Sequence, residues 1–517
     1  MLEPMSRAFL VLPFDNDDGD VLDSCLGAQL ARSLERKLLA AGERVVPSRA
    51  GTRACEALGL DVPLDEDEAR SVSRHAGSTH IVQGGFERES GKLVLMLQVC
   101  WKGDEEEPPP PERVLASGDA GTFQRVIERA TAIVLEKADR GPGGGAPESK
   151  SPASIPETAR ETESFDAFLT LARAQSALLQ GDVSLAEEEI EKAQRLDPRY
   201  VEPWEVAAQA AREMGDRDRA IDCLRSAARL HREAGRAPDE ALALVALGHA
   251  LVDAGRWSDG TRTYEEAAAI WEKANDVRGV VQARSNVANV HLRRGDYKKA
   301  VAEYEGGLER LLALGGHASE DAAKLAFNLG TAHKAAGNAA AAALRFEEAR
   351  RLGVEAHDDE LIANAYNALG TVHDEQGDLE RALHAYRQAE EHLEARADPV
   401  LLAGVKDNIG IVLKKRADLE GALAYSAQAC ALFETHGDPH RLAIAYTNRA
   451  GLLLDLDRGD EALPFALSAH RIFIQLGSPQ AKTTSSLLED LGVDPDEAHA
   501  LDLEDSSGRP KEPDPEE

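Results

Sequence analysis

Acidic side chains crowd the run DNDDGD at residues 15–20, where their oxygens could bind a hard cation such as calcium. A calcium-binding loop between two helices needs glycine at its sixth position and glutamate at its twelfth. Counted from Asp15, Gly19 falls at the fifth position, so the spacing does not fit. We therefore interpret the run as a solvated loop between a strand and a helix.

Three histidines recur at the same place in successive copies of a repeated pattern and could be imagined as a ladder of zinc ligands: His291, His333 and His373. Packed helices lie about 8–10 Å apart. Zinc needs its ligands about 2.0–2.1 Å from one ion. The spacing therefore favours packing positions, in place of aromatic residues, over a metal site.

The remaining nucleophiles and phosphate-binding patterns do not form a catalytic set. The stretch GPGGG at residues 141–145 lacks the Lys-Ser/Thr pair of a phosphate-binding loop and has no strand before it. No Ser/His/Asp, Cys/His, HExxH or GxSxG arrangement occurs in a convincing context. Cys25 lies within a predicted helix, where a buried structural thiol is favoured over a nucleophile. The sequence thus predicts no catalytic, cofactor-binding or metal site, and a protein that is not an enzyme.

The chain is strongly acidic, with 59 Lys and Arg against 92 Asp and Glu and a formal net charge of −33 over 517 residues. This charge repels phosphate backbones and anionic membranes, so we expect neither nucleic acid nor a membrane as a partner. The apolar run from Ala8 is broken by Pro13, which does not fit a signal peptide. No run approaches the roughly 20 apolar residues of a membrane helix. Five scattered cysteines without metal-site spacing favour a reducing compartment, and we predict a cytoplasmic protein.

Composition divides the chain into regions of different character. Residues 6–138 predict a small α/β domain, residues 139–163 a flexible linker rich in Gly, Pro and Ser, and residues 164–482 a helical array. A capping helix is expected at residues 483–500, followed by a disordered acidic tail at residues 501–517. The linker, of roughly 20 residues, would leave the first domain free of the array.

Small residues recur in fixed phase along the helical region. One slot holds Ala186, Ala220, Gly260, Ala300, Ala342, Ala382, Ala422 and Ala462, which are 34, 40, 40, 42, 40, 40 and 40 residues apart. Twelve residues before each lies a second small residue, and seven after each a third. Five before each comes an inter-helix turn, which is Gly six times and then Ala417 and Asp457. Small residues let helices approach closely, so the pattern predicts stacked helical hairpins.

These slots resemble the tetratricopeptide repeat, in eight copies starting near 167, 201, 241, 281, 323, 363, 403 and 443. The implied fold class is mainly α, a right-handed solenoid of about eight hairpins preceded by the small α/β domain. The 40-residue spacing, similar to kinesin-light-chain and bacterial regulatory repeats, leaves two readings open: longer helices or longer loops between hairpins. Second helices carry Tyr264, Tyr304, Phe346 and Tyr386 at one slot, where the last two repeats have Ser426 and Ala466 instead. We expect less regular packing there.

The first region resembles the amino-terminal domain of TolB-like proteins. The matching residues are LPFDN at 12–16 with Gly19-Asp20 after it, an acidic helix, the strand segment HIVQGGF at 80–86 and a further strand starting KLVLMLQV. The resemblance covers about 130 residues and implies a role in interaction or assembly.

By resemblance to the repeat family, six positions of each first helix line a concave groove. In repeats four to eight these positions supply Asn286, Asn289, Lys324, Asn328, Lys334, Asn364, Asn367, Asn408, Lys414, Lys415 and Asn448. Asn can satisfy both the N–H and the C=O of an extended peptide, and Lys can pair with carboxylates. The alternative is that these side chains merely solvate their helices.

We therefore predict a scaffold or adaptor of a bacterial cell that binds a protein or peptide, possibly with acidic segments, in this groove. The alternative is a signalling regulator in which the repeats sense a ligand and control the α/β domain. The oligomeric state cannot be read from the sequence.

Overall fold

The computed structural model describes residues 8–12, 14, 21–41, 43–46, 78–89, 92–101, 112–119, 123–139, 162, 164–315, 319–396 and 398–495, with isolated positions at 55, 64, 68, 69, 71, 72 and 76. The chain divides into two compact units, residues 1–270 and 271–517. None of the helices in the described ranges is both long and apolar enough to cross a membrane.

The first unit begins with a five-stranded sheet. Its strands are β1 (Ala8–Val11), β2 (Arg44–Val46), β3 (His80–Glu89), β4 (Lys92–Trp101) and β5 (Glu112–Asp119), in the order β2-β1-β3-β4-β5. The β1 strand runs parallel to β2 and β3, whereas β3, β4 and β5 pair antiparallel. The strands β3 and β4 form a hairpin, and β5 lies at one edge of the sheet. The DNDDGD run and the loop between β4 and β5 fall outside the described residues.

Two helices, α1 (Val21–Ala40) and α2 (Phe123–Asp139), cover this sheet. Their apolar positions repeat with helical period, and Leu30, Leu34 and Ile127 are fully buried against strand residues such as Val82 and Leu95. An α/β region with a sheet is therefore present, as the sequence predicts. Whether it is homologous to TolB-like domains stays a prediction.

The helical array follows. Its helices are α3 (Phe165–Leu179), α4 (Val183–Leu196), α5 (Glu202–Glu213), α6 (Arg217–Glu233), α7 (Ala237–Asp253), α8 (Trp257–Lys273), α9 (Val277–Arg293), α10 (Tyr297–Leu312), α11 (Ser319–Ala335), α12 (Ala339–Ala356), α13 (Asp359–Glu375), α14 (Leu379–Arg396), α15 (Pro399–Lys415), α16 (Leu419–His436), α17 (Pro439–Asp455), α18 (Gly459–Gln475) and α19 (Ala481–Asp490). Odd-numbered helices from α3 to α17 are the first helices of the hairpins, and even-numbered helices from α4 to α18 are the second. The predicted capping helix is α19, but it ends at Asp490 because Gly492 adopts a positive φ of 77° there.

The predicted slots are buried, which confirms the fold class of stacked helical hairpins. The alanines of the first slot, Ala186 to Ala462, are each 0% exposed, and so are the alanines of the slot seven residues later, from Ala193 to Ala469. At three glycines of the second slot, Gly248, Gly330 and Gly370, the aromatic ring of the second helix fills the space above the glycine: a Cβ added at Gly370 would lie 2.6 Å from the Tyr386 ring. Small residues and rings are therefore complementary in these three hairpins.

Every hairpin turn takes the left-handed conformation, including the two that lack glycine. The glycines at 181, 215, 255, 295, 337 and 377 have φ between 76° and 79°. Ala417 and Asp457 adopt φ of 63° and 59°. The turn geometry is thus kept in repeats seven and eight, at a cost of roughly 1–2 kcal/mol for the Cβ of Ala417.

The 40-residue spacing comes from longer helices. The 34-residue step from Ala186 to Ala220 includes α4 and α5, of 14 and 12 residues, whereas α13 and α15, which lie in 40-residue steps, each have 17. Aspartates begin many of these helices: the side chains of Asp182, Asp216 and Asp418 each accept a backbone N–H three residues on. Asp182, Asp216 and Asp418, each directly after a turn, therefore cap their second helices, whereas the side chain of Asp296 makes no such cap.

Within the first unit, the α/β region packs directly on the first hairpin. The Phe123 ring lies 4.8 Å from the Phe168 ring, measured between centroids, and both are fully buried in one core with Ala193 and Tyr200. The side-chain amides of Gln29 and Gln175 approach to 3.1 Å, and Arg36 forms an ion pair with Glu202. The sequence predicts a domain left free by its linker; the structure instead joins it to α3 through shared apolar surface. The linker itself (residues 140–161) and the acidic tail lie outside the described residues.

Candidate functional site

The predicted groove residues lie on the first helices α9, α11, α13, α15 and α17, all in the second unit. Each of these helices contacts the next first helix along the chain. We call the side chains that line this row the first-helix face. Its asparagines at 286, 328, 364, 367, 408 and 448 are partly buried, whereas Asn289 and the lysines at 324, 414 and 415 are exposed.

Two asparagines bridge successive repeats. Asn408 Nδ2 donates to Asn367 Oδ1 at 3.0 Å, and Asn448 Nδ2 donates to Asp407 Oδ2 at 2.9 Å. Both contacts join residues 41 apart. Each residue on one first helix therefore faces the residue that lies one repeat of 40 and one further position along the chain. Asn289 differs, since its Oδ1 accepts the Tyr304 hydroxyl of its own hairpin at 2.6 Å. The structure therefore joins Asn367 to Asn408 but does not bring all the predicted asparagines together.

The predicted lysines are paired with acids of this chain. Lys415 lies 2.6 Å from Asp374, Lys414 2.6 Å from Asp455, and Lys334 3.1 Å from Glu375. These three pairs again span 41 residues, whereas Lys324 pairs with Glu320 one turn away on its own helix, at 2.5 Å. Three lysine–carboxylate ion pairs thus connect successive repeats along the first-helix face.

Sequence reasoning missed the acidic partners Asp374, Asp407 and Asp455. The signal that could have found them is the spacing: each lies 41 residues, one repeat plus one position, from a predicted groove residue. The first-helix face is therefore a mixed array of amides, cations and carboxylates.

A cavity of about 120 Å³ opens on this face at repeat seven. Its lining comes from three helices and comprises Asp407, Gly410, Ile411, Lys414, Ser426, Thr447, Asn448, Gly451 and Leu452. Ser426 occupies the slot where repeats three to six carry an aromatic ring, and it stands opposite Gly410 as Tyr386 stands opposite Gly370. The missing ring leaves space that polar groups surround.

Asp407 is the ionisable group deepest in this cavity. Burial raises the pKa of its carboxyl to about 6, although the hydrogen bond from Asn448 acts in the opposite direction. Removal of the carboxylate from water is therefore the stronger effect at this position.

The histidines and cysteines are placed for packing. His291 and His333 are partly buried, and burial lowers the pKa of the His333 imidazole. The five cysteines are buried and lie outside any disulfide, and burial raises the pKa of Cys25. In the part of the chain that the structure describes, no three His, Cys, Asp or Glu side chains are grouped as metal ligands.

Comparison with known families agrees with the repeat geometry. Models of the family described as Tetratricopeptide repeat match residues 279–353 and 363–391. A model described as Soluble NSF attachment protein, SNAP, matches residues 186–313. No curated protein matches the chain. The chain contains tetratricopeptide repeats.

Three solved structures are similar to the chain at low sequence identity. The apo form of RapI is 11% identical over 63% of this chain and 97% of its own, with a TM-score of 0.43. A Rap protein complexed with Competence and Sporulation Factor is 14% identical over 72% and 91%, with a TM-score of 0.38. BtubC from P. vanneervenii is 21% identical over 42% and 89%, also with a TM-score of 0.38. Likenesses at this level say nothing about what this chain binds.

Proposed function

We propose that the protein is a non-catalytic scaffold or adaptor that binds a protein segment along the first-helix face of repeats four to eight. The observation that carries the proposal is the row of partly buried amides on successive first helices, two of which bridge neighbouring repeats. Amide side chains held in place by such bridges present donors and acceptors to an extended backbone at little further entropic cost. A tetratricopeptide fold supports interaction or sensing in general.

An acidic partner segment is the finer form of this proposal. The three lysines that would recognise it, Lys334, Lys414 and Lys415, each pair with an acid of a neighbouring repeat. A partner carboxylate would have to replace those acids. Exposed ion pairs of this kind contribute about 0–1 kcal/mol, so a partner carboxylate can replace the acid of this chain at little cost. For the same reason the exchange gives little selectivity for acidic segments.

A cytoplasmic location is part of the same proposal. The five cysteines, buried and outside any disulfide, support a reducing compartment.

The alternative function, a ligand-sensing regulator, is favoured by one observation. The α/β region packs on the first hairpin through contacts that include Phe123, Phe168 and Gln175. A change in the first repeats would then reach α1 and α2 directly. Such coupling requires the ligand to bind two states of the array with different affinity.

The groove proposal is tested with the full chain as bait. Asn328→Ala, Asn367→Ala and Asn408→Ala, made together, remove three amides from the first-helix face. A matched control replaces three exposed residues of second helices, Lys299→Ala, Arg381→Ala and Arg387→Ala. We expect the first triple variant to lose the proteins captured from a native lysate and the control to keep them. Equal recovery by both, with unchanged circular dichroism melts, would rule the face out.

A further inference from the structure

The cavity of repeat seven arises from one break in the repeat pattern. In repeat six the Tyr386 ring covers Gly370, and in repeat five the Phe346 ring covers Gly330. In repeat seven the atoms nearest to a Cβ added at Gly410 are backbone atoms, with Ala422 O at 3.3 Å and Ser426 N at 3.7 Å. The second helix α16 thus approaches α15 without a ring between them, and the volume beside Ser426 stays open toward α17.

Apart from Lys414, the polar side chains around this volume can all accept hydrogen bonds. Asn448 donates its Nδ2 to Asp407, which leaves the amide carbonyl oxygen of Asn448 to accept. Ser426 is 2% exposed, and no described residue makes a hydrogen bond to its hydroxyl. This sets Ser426 apart from Thr447 in the same cavity, whose hydroxyl donates to Ala443 O at 2.8 Å. A buried hydroxyl without a partner is costly and points to a group that enters the cavity.

The carboxylate of Asp407 lacks a matching cation among the described groups that shift its pKa. The nearest lysines on its own helix are engaged elsewhere, Lys414 with Asp455 and Lys406 with Glu390 at 2.5 Å. An ion of opposite charge that entered the cavity would therefore relieve the desolvation of this group.

We propose that the cavity is an anchor site for the ammonium group of a lysine side chain carried by the segment that binds the first-helix face. An ammonium brings three donors, which match the carboxylate of Asp407, the hydroxyl of Ser426 and the carbonyl of Asn448. Ile411 and Leu452, which also line the cavity, would contact the methylene groups of that lysine side chain. The volume of 120 Å³ exceeds the roughly 10–15 Å³ that one water needs and stays below the roughly 150 Å³ of a cavity that holds benzene, which suits an ammonium with its adjoining methylenes.

The anchor site rests on the proposed function, because the lysine would belong to the segment that binds the first-helix face. Binding of an ammonium group to the cavity can nevertheless be tested without a protein partner. The probe is n-butylammonium chloride, titrated into the full chain with labelled Ile and Leu methyl groups. We expect saturable shifts of the Ile411 and Leu452 signals at millimolar concentration. 1-Butanol and sodium chloride, at the same concentrations, are expected to leave them nearly unchanged.

Two variants test the named contacts. Asp407→Asn keeps the shape and can still accept from Asn448, but loses the charge; we expect n-butylammonium to bind at least about tenfold more weakly, as for the loss of a charge-assisted hydrogen bond. Ser426→Ala keeps the charge and removes one acceptor, so a smaller loss of a few fold is expected. Methyl dispersion and circular dichroism establish that both variants are folded.

The anchor site is overturned if n-butylammonium gives no saturable shift at Ile411 and Leu452, or if Asp407→Asn or 1-butanol gives the same response as the charged probe with wild type. Failure of the groove proposal looks different. In that case n-butylammonium binds as expected, while the triple asparagine variant still captures its partners.

Discussion

Asp407→Asn should stabilise the folded protein at alkaline pH, because the charged carboxylate is held where water solvates it poorly. The pKa of Asp407 is raised from 3.8 to about 6 in the folded chain. A difference of about 2 units corresponds to ~3 kcal/mol at about 1.36 kcal/mol per unit. Partial solvation of the side chain makes this an upper value, and we expect a gain of about 1–3 kcal/mol at pH 8.

The sign follows from the linkage between folding and protonation. A raised folded pKa means that the stability contributed by protonated Asp407 is fully present below pH 3.8 and is lost as pH rises through about 6. The advantage of the neutral asparagine should therefore be largest at pH 8 and should fade toward pH 4. Urea melts at pH 8 and pH 4.5 measure it, with hydrogen exchange of α15 to α17 as a local readout, since repeat arrays need not unfold in two states.

A matched control is Asp490→Asn, which removes an exposed carboxylate from α19 in the same unit. Surface changes of this kind are usually within about 0.5 kcal/mol of neutral. If Asp407→Asn instead destabilises the protein at pH 8 as much as at pH 4.5, the charge of Asp407 is favourably solvated and the reasoning about the cavity is wrong.

Three further predictions concern the fold. Ala417→Gly should raise the urea midpoint of the second unit by the equivalent of about 1 kcal/mol, because φ is 63° there; no gain would mean that the turn is unstrained. Gly370→Ala should cost about 1–3 kcal/mol, since the new Cβ would stand 2.6 Å from the Tyr386 ring; a neutral melt would contradict the described packing. Phe168→Ala should cost about 3–5 kcal/mol and expose α2 as well as α3 to limited proteolysis, because its ring packs on Phe123; cleavage confined to the first hairpin would refute the shared core.

The sequence predicts the array well because each slot is a local requirement repeated many times. Two helices can pack closely only if a small residue stands at positions such as Ala382 and Gly370. This requirement can be recognised in the local sequence without knowledge of the rest of the chain. The positions of the left-handed turns at Ala417 and Asp457 could also be predicted from the repeat spacing, although neither residue type is typical of glycine turns.

Contacts between distant segments could not be read in this way. The packing of α1 on α3 depends on two complementary surfaces, including Gln29 and Gln175, and neither carries a periodic signal. A linker of this composition is compatible with both a free and a docked domain, so composition alone could not predict this packing.

The candidate site was only partly predictable for a similar reason. The resemblance to the repeat family implies which positions of a first helix face the groove, but the pairing of Lys415 with Asp374 is set by the offset between successive repeats. That offset, one repeat plus one residue, appears only once helices are packed. The cavity at Ser426 was visible in the sequence as a missing aromatic residue, but its polar lining was not.

The most direct test of binding along the first-helix face is site-specific photo-crosslinking in the full chain. A photoreactive amino acid replaces Asn364 on α13 in one sample and Arg381 on α14, an exposed second-helix position, in another. The account predicts partner adducts from position 364 that disappear when Asn328, Asn367 and Asn408 are all changed to Ala, and none from position 381. Equal adducts from both positions, or adducts at 364 that survive the triple change, would contradict it.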